Sequence, residues 1–351
     1  MNSIDDMMGK HSVWLSGEGP KAHIVISTRI RLARNLEGHC FFHRADDKQR
    51  DATLEKLFKG VKKCARFKDG LFLLVKDVAE VDRAFLVERH LMSREHEAEP
   101  AHKGLVISKD ESVSVMLNEE DHLRIQGIKS GLDIVDTWKM VDDLDTELSQ
   151  YLPFAYSSKF GYLTSCPTNT GTGLRASVML HLPALEMTDQ IENVYDAVSK
   201  LGLTIRGFYG EGSETTGNFF QISNQVSLGH SETDILDNLE RVINKVVAKE
   251  EDTRTFLMHN KKSEIADNIF RSYGTLKSAR IITSREAIKL LSSVRLGVDL
   301  GVVKDVNKSL LNEILLVTQP GHLQKNGGQE LTPYERDIKR ADMIREKLGE
   351  K

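Results

Sequence analysis

Cysteine is scarce here, and what there is forms no pattern. Cys40, Cys64 and Cys166 are the three in 351 residues. An odd count at scattered spacing gives neither a disulfide framework nor a zinc-ligand set. A reducing cytoplasm is the expected setting, and no side chain is assigned to a metal. No apolar run approaches the roughly 20 residues of a membrane span. The first ten residues, MNSIDDMMGK, are too polar and acidic for a signal peptide. An excess of positive charge is also missing. A net charge of −4 argues against a general nucleic-acid binder and leaves room for a local basic pocket. There is no internal repeat, no low-complexity tract and no Gly-Lys-Ser/Thr ending of a P-loop. The rest is ordinary for a globular chain, 28% charged and 40% hydrophobic, with length for one large domain and a smaller one.

What is present centres on residues 161–176, GYLTSCPTNTGTGLRA. Hydroxyl residues beside Gly171 and Gly173 suit a tight loop that turns backbone N–H groups towards an anion. Glycine content alone fits a surface turn as well. Arg175 stands where a P-loop has lysine, so any phosphate here would rest on a guanidinium fork.

Around this loop, hydrophobic periodicity predicts both strands and helices. Strands are expected over 23–31, 71–75, 113–117, 203–208 and 220–228. Helices are expected over 45–65, 81–91, 133–151, 188–201 and from Ser231 to about 250. Ser231, Thr283 and Thr332 each begin a helix-capping pattern, the last with Pro333 at the first helical position. The polar stretch 248–262 marks the expected domain boundary, giving 1–255 and a mainly helical 256–351.

The strand over 23–31 places Arg29 and Arg31 on one side, two residues apart. Such close like charges repel unless an anion lies between them. Arg124, Arg175 and Arg206 also fall at ends of expected strands or in loops. Singly each reads as a surface charge. Together the five suit a polyphosphate with its Mg²⁺. Phosphoryl transfer needs alignment and charge neutralisation more than covalent help.

Four segments make the surface-charge reading hard to keep: Ser27-Thr28-Arg29-Ile30-Arg31, Asn118-Glu119-Glu120-Asp121-His122-Leu123-Arg124, Cys166-Pro167-Thr168-Asn169 with its following loop, and Arg206-Gly207-Phe208-Tyr209-Gly210-Glu211. In this order they resemble the phosphagen (guanidino) kinases over nearly the whole chain, and most closely the McsB-type protein-arginine kinases. The resemblance implies the α+β class: an antiparallel sheet flanked by helices, the glutamine-synthetase-like catalytic core, with a helical C-terminal domain. It implies transfer of the γ-phosphate of ATP, with Mg²⁺, to a guanidino nitrogen. Ser27, Thr28, Arg29, Arg31, Arg124, Arg175 and Arg206 would hold the nucleotide, with His90 near its base.

Glu120 and Glu211 occupy the family's carboxylate positions. A guanidinium is a poor nucleophile while protonated, with a pKa of roughly 12.5 or above. Two carboxylates can grip its edges, and one can accept its proton. Sequence leaves open which one does. Cys166 is implied to be a reactive cysteine touching the substrate, its thiolate favoured by nearby arginines. An inert buried thiol is the alternative.

Arg336, Asp337 and Arg340 match the family's RDxxRA motif, which implies a phosphoarginine pocket at a dimer interface. Without the resemblance the segment reads as an ordinary charged helix. Only 26 residues precede Ser27, where small-molecule phosphagen kinases carry a further helical domain. Tyr209 stands where they tend to have arginine. Both departures point to an arginine side chain presented by a protein.

The expected role is then to mark proteins for Clp-type proteolysis in quality control or stress, as an allosteric homodimer with a zinc-binding activator and a Clp-type ATPase as partners. The alternatives are a small-molecule guanidino kinase and a catalytically silent phosphoarginine-binding adaptor.

Overall fold

The structure is a computed structural model, and it describes residues 3–207, 216–328 and 330–349. Eight strands form one antiparallel sheet. In chain order they are β1 (Val25–Arg34), β2 (Leu71–Leu74), β3 (Gly104–Ile107), β4 (Val113–Leu117), β5 (Leu123–Ser130), β8 (Leu174–His181), β9 (Leu203–Gly207) and β10 (Phe219–Asn224), with the small hairpin β6 (Tyr156–Ser157) and β7 (Gly161–Tyr162) lying between β5 and β8. Across the sheet the order is β2-β3-β4-β5-β1-β8-β10-β9.

Alternation along the strands gives the sheet two unlike faces. Ile30 and Leu32 of β1, Leu123 and Ile125 of β5, Leu174, Ala176, Val178 and Leu180 of β8, and Phe220 and Ile222 of β10 share one face, and all are buried. Helices α1 (Asp47–Val61), α4 (Ile134–Ser149), α6 (Ile191–Lys200) and α7 (Glu232–Asn260) cover it. Each fully buried Leu, Ile or Val there contributes about 1.5–3 kcal/mol relative to exposure. This set fixes the register, because a one-residue slip would turn it to the other side.

The second face is divided. At one side Leu105, Ile107 and Met116 pack under α2 (Glu80–Glu88). At another end Ile26, Ile128, Met179 and Phe219 pack under the C-terminal helices and Trp14. Between these apolar patches lie the arginines. Those helices are α8 (Lys262–Ser278), α9 (Ser284–Asp299), α10 (Lys308–Val317), α11 (Pro320–Gly327) and α12 (Pro333–Lys347), while α3 (Arg94–Ala98) and α5 (Pro183–Met187) are short connectors.

The caps at Ser231, Thr283 and Thr332 form as the sequence indicates, each hydroxyl accepting from the N–H three residues on. Helix α7 runs unbroken through residues 255 and 256 and ends at Asn260, within the polar stretch 248–262. The turn is at Lys261, which begins α8 one residue later. The helix expected from Thr188 begins at Ile191, because the Thr188 hydroxyl is used to bond back to the Ala184 carbonyl at 2.8 Å.

Candidate active site

Strand register assembles the arginines. Arg31 on β1 lies directly opposite Arg175 on β8, Ala33 opposite Arg124 on β5, and Arg29 opposite Ser177. Arg206 on β9 lies opposite Gln221 of β10, whose amide oxygen accepts from Arg29 Nη2 at 2.7 Å. Five arginines from four separate segments therefore share one face. Burial lowers the pKa of Arg29 to about 10, helped by the charges of Arg124 and Arg175. Arg31 is driven well below its ordinary value by burial and by Arg29, Arg124 and Arg175, with Glu119 opposing. Guanidiniums do not lose their proton in proteins. The shifts instead express how unfavourable these cations are together without an anion. Arg31 is the least compensated. Its buried Nε finds no hydrogen-bond partner among the described residues.

The segment Asn118–Arg124 is a hairpin turn in which each polar residue has a separate task. Asn118 takes a left-handed backbone (φ 57°) and donates its amide to the carbonyls of Arg50 and His102, each at 3.0 Å. Asp121 accepts from Asn35 Nδ2 at 2.6 Å and from the Ser165 N–H at 2.7 Å. His122 accepts from the Leu36 N–H at Nδ1, which leaves its Nε2–H for the Cys40 carbonyl. Burial lowers the His122 pKa to about 4, so it stays neutral in these bonds.

Glu119, which the sequence reading did not single out, is the internal counter-ion. It accepts from Arg124 and, at 2.5 Å, from Ser93 Oγ. Burial alone would raise its pKa, but the Arg124 charge and these bonds hold it at about 2. Glu120 is left without a hydrogen-bond partner for its carboxylate among the described residues. Its pKa is raised by burial and by the Asp121 and Glu119 carboxylates, against the pull of Arg124 and His43. A carboxylate so placed suits proton acceptance.

The Cys166 loop is tied to this turn. Asp121 takes the Ser165 N–H, and Ser165 Oγ donates to the Glu120 carbonyl at 2.9 Å. Inside the loop, Thr164 Oγ1 donates to the Cys166 carbonyl at 2.7 Å, and Ser227 Oγ bridges the carbonyls of Thr168 and Thr170. The N–H groups of Ser165, Asn169, Thr170 and Gly171 are all spent within the protein. The sequence left both an anion-cradling loop and a surface turn open. These bonds make it a support for Cys166, whose partly exposed Sγ lies 3.0 Å from Thr168 Oγ1.

Other expected residues are placed as follows. Ser27 is buried and falls on the arginine side of β1 by alternation. Thr28 faces the opposite way. Its Oγ1 donates to the Gly131 carbonyl at 2.7 Å and accepts from the Asp133 N–H, so it shapes the turn into α4. His90 sits beyond α2 with φ 59°, its ring 4.7 Å from that of Trp14, and its carbonyl accepts from Gln126 on the arginine face. Burial and the charges of Arg29, Arg31 and Arg94 lower its pKa to about 3. It borders the cluster as a neutral ring. Glu211 and Tyr209 lie outside the described residues.

Within one chain, several groups of the C-terminal motif are already engaged. Arg340 is 2% exposed and donates to the carbonyls of Thr318 and Ile282 and to Asp337. Arg336 donates to the Leu331 carbonyl at 2.9 Å. Asp337 is thus turned to its own helix neighbour, because a guanidinium buried at that spot needs a counter-charge.

Comparison with known proteins gives the family. Residues 53–253 match the family described as ATP:guanido phosphotransferase, C-terminal catalytic domain, and residues 262–351 match the protein-arginine kinase McsB C-terminal domain. The chain belongs to the McsB-type protein-arginine kinases. A protein-arginine kinase of Brevibacillus brevis is 48% identical over 351 residues, covering 99% of this chain and 98% of that one. Another, of Halothermothrix orenii, is 45% identical over 99% of both chains. Among solved structures, lombricine kinase aligns with a TM-score of 0.60 at 22% identity, covering 67% of this chain and 68% of that chain. The duplicated taurocyamine kinase of Schistosoma mansoni aligns at 0.59 and 25% identity, over 82% of this chain and 42% of its own. The kinase therefore phosphorylates arginine side chains of proteins, and its family makes ATP the phosphoryl donor. No helix among its described residues is long and apolar enough to cross a membrane.

Proposed function

We propose that the arginine face holds the phosphates of ATP and that Glu120 receives the proton of the acceptor guanidinium. The observation that carries this is the cluster of Arg29, Arg31, Arg124 and Arg175 on one sheet face, where Arg31 forms no ion pair among the described residues and only Glu119 opposes the surrounding positive charge. In the transfer, the bond from the terminal phosphorus to the bridging oxygen breaks, and ADP leaves. A bond forms from that phosphorus to a guanidino nitrogen. The nitrogen's proton passes to the Glu120 carboxylate and then to solvent. The arginines neutralise charge on the phosphoryl group as it moves. No cluster of three His, Cys, Asp or Glu side chains among the described residues could hold a metal. Mg²⁺, when bound with the nucleotide, would supply further charge neutralisation on the phosphates. Cys166 and Glu211 are proposed to contact the acceptor.

The adaptor reading is disfavoured by the arginine face and Glu120, which a mere reader of phosphoarginine would not need. Dimerisation, an activator, a Clp-type partner and a cytoplasmic, quality-control role rest on the family resemblance. The nucleotide site is tested by calorimetric titration with ATP–Mg²⁺. Losing a charge-assisted contact costs about 1.5–3 kcal/mol, so Arg31→Ala should weaken binding roughly tenfold or more. Arg66→Ala, at a surface arginine paired with Asp110, should leave it unchanged. Equal affinity in all three proteins would refute the assignment.

A further inference from the structure

We propose that Asn35 is a positioning residue. Its buried side-chain amide ties the turn that bears Glu120 to the segment that bears Cys166, and so aligns the acceptor guanidinium with the phosphates on the arginine face. This rests on the proposed roles of Glu120 and the arginines, and it adds a residue outside the four matching segments.

Asn35 lies one residue beyond β1, the strand of Arg29 and Arg31, and by alternation on their side of it. It is 1% exposed. Its Nδ2 donates to Asp121 Oδ1 at 2.6 Å and to the Leu163 carbonyl at 3.0 Å. Its Oδ1 accepts from the His122 N–H at 2.9 Å. These partners fix which way the amide points. Turned over, it would set its oxygen against a carboxylate and a carbonyl, and its NH₂ against an N–H.

The bonds reach two separate segments. Asp121 and His122 follow Glu120 in the turn between β4 and β5. Leu163 follows β7 and leads into the Cys166 loop. The main chain of Asn35 holds that same segment, because its carbonyl accepts from the Ala155 N–H and the Ala155 carbonyl accepts from the Leu163 N–H. Asp121 passes the link on. The oxygen that takes Asn35 Nδ2 also takes the Ser165 N–H at 2.7 Å, and Ser165 Oγ donates to the Glu120 carbonyl at 2.9 Å. The circuit therefore closes on the backbone of Glu120, one residue before Asp121.

This circuit sets where the Glu120 carboxylate and the Cys166 thiol stand relative to β1. Phosphoryl transfer is sensitive to such placement, and a small displacement lowers its rate without weakening the nucleotide's hold. Arg29, Arg31, Arg124 and Arg175 are placed by the ladders joining β1 to β5 and β8, which do not use the Asn35 side chain. A change at Asn35 should therefore act on transfer and spare ATP binding. A residue serving stability alone would lower the folded fraction, and both readings would fall together.

The test measures kcat on casein and the ATP–Mg²⁺ dissociation constant by calorimetry, with the full-length kinase. Asn35→Asp keeps the size and the acceptor for the His122 N–H, but turns an oxygen towards Asp121 and the Leu163 carbonyl. Its kcat should fall about tenfold or more, with ATP affinity within about twofold of the wild type. Adding Asp121→Asn restores a donor and an acceptor between the two positions, so the double variant should recover most of the lost kcat. Wild-type kcat in Asn35→Asp, an equal loss of ATP affinity, or no recovery in the double variant would overturn the proposal. Should Asn35→Asp fold poorly, Asn35→Ser is the second variant. Its hydroxyl can serve only one of the two acceptors, and the same fall in kcat with ATP affinity kept is expected; unchanged kcat there would overturn the proposal. Glu120→Gln runs in parallel. If it keeps full activity, the base assignment fails and takes this proposal with it. If it is inactive beside a fully active Asn35→Asp, the positioning role alone fails.

Discussion

Glu119 and Glu120 are neighbours in sequence with opposite environments. One is saturated by Arg124 and Ser93, and the other is left open. Alternation alone says that only one of two adjacent glutamates can face a given site, and that much was legible. The pairing of Glu119 with Arg124 was not, because it crosses a hairpin turn five residues long. The orientation of Thr28 was hidden for a related reason. It lies in the matching motif, yet its hydroxyl serves a turn more than a hundred residues away. A pH prediction follows from Glu119. Its folded pKa, about 2, lies below the ordinary value of about 4.3. Its ionised form therefore stabilises the fold above that ordinary value, and the contribution is lost as pH falls towards 2. The difference in thermal midpoint between the wild type and Glu119→Gln should be largest near pH 7 and shrink by pH 3. A difference that grows on acidification would contradict the counter-ion role.

At the scale of elements, the Cys166 loop is the part whose outline was readable and whose workings were not. Its glycines and hydroxyls signalled a tight turn. They could not show that the N–H groups of Ser165, Asn169, Thr170 and Gly171 are spent on Asp121 and on nearby carbonyls. Gly171 shows how closely the loop is seated. Its φ is +114°, and a Cβ there would lie 2.8 Å from the Leu228 Cα and the Ser227 carbonyl oxygen. Gly171→Ala must displace the loop or its support. We expect protein phosphorylation to fall at least tenfold while ATP binding stays within about twofold, because the arginines sit on strands rather than on the loop. Steady-state kinetics with a parallel nucleotide titration checks this, and an equal fall in both would place the loop in the nucleotide site. The helices were legible through their caps at Ser231, Thr283 and Thr332. The polar stretch 248–262 holds the end of a solvated helix, α7, rather than an extended linker, and the turn into α8 falls at Lys261.

At the scale of the whole molecule, the sheet's second face explains the site's position. Apolar residues at its margins bring α2 and the C-terminal helices down onto it, and the uncovered middle is left to the arginines. The sequence supplied the arginines one by one, but only strand register shows that Arg31 and Arg175 stand opposite each other. The family resemblance carried the fold class and the substrate; composition and periodicity by themselves reached no further than a chain of strands and helices with a basic pocket. The central claim is that this face and Glu120 transfer phosphate from ATP to arginine in proteins. It is met most directly by incubating the wild type and Glu120→Gln with γ-labelled ATP, Mg²⁺ and either casein or free arginine. The account predicts label on casein that is lost in acid and kept in base, little on free arginine, and a fall of about a hundredfold or more in Glu120→Gln with ATP still bound. Label that survives acid, label confined to free arginine, or full activity in Glu120→Gln would contradict it.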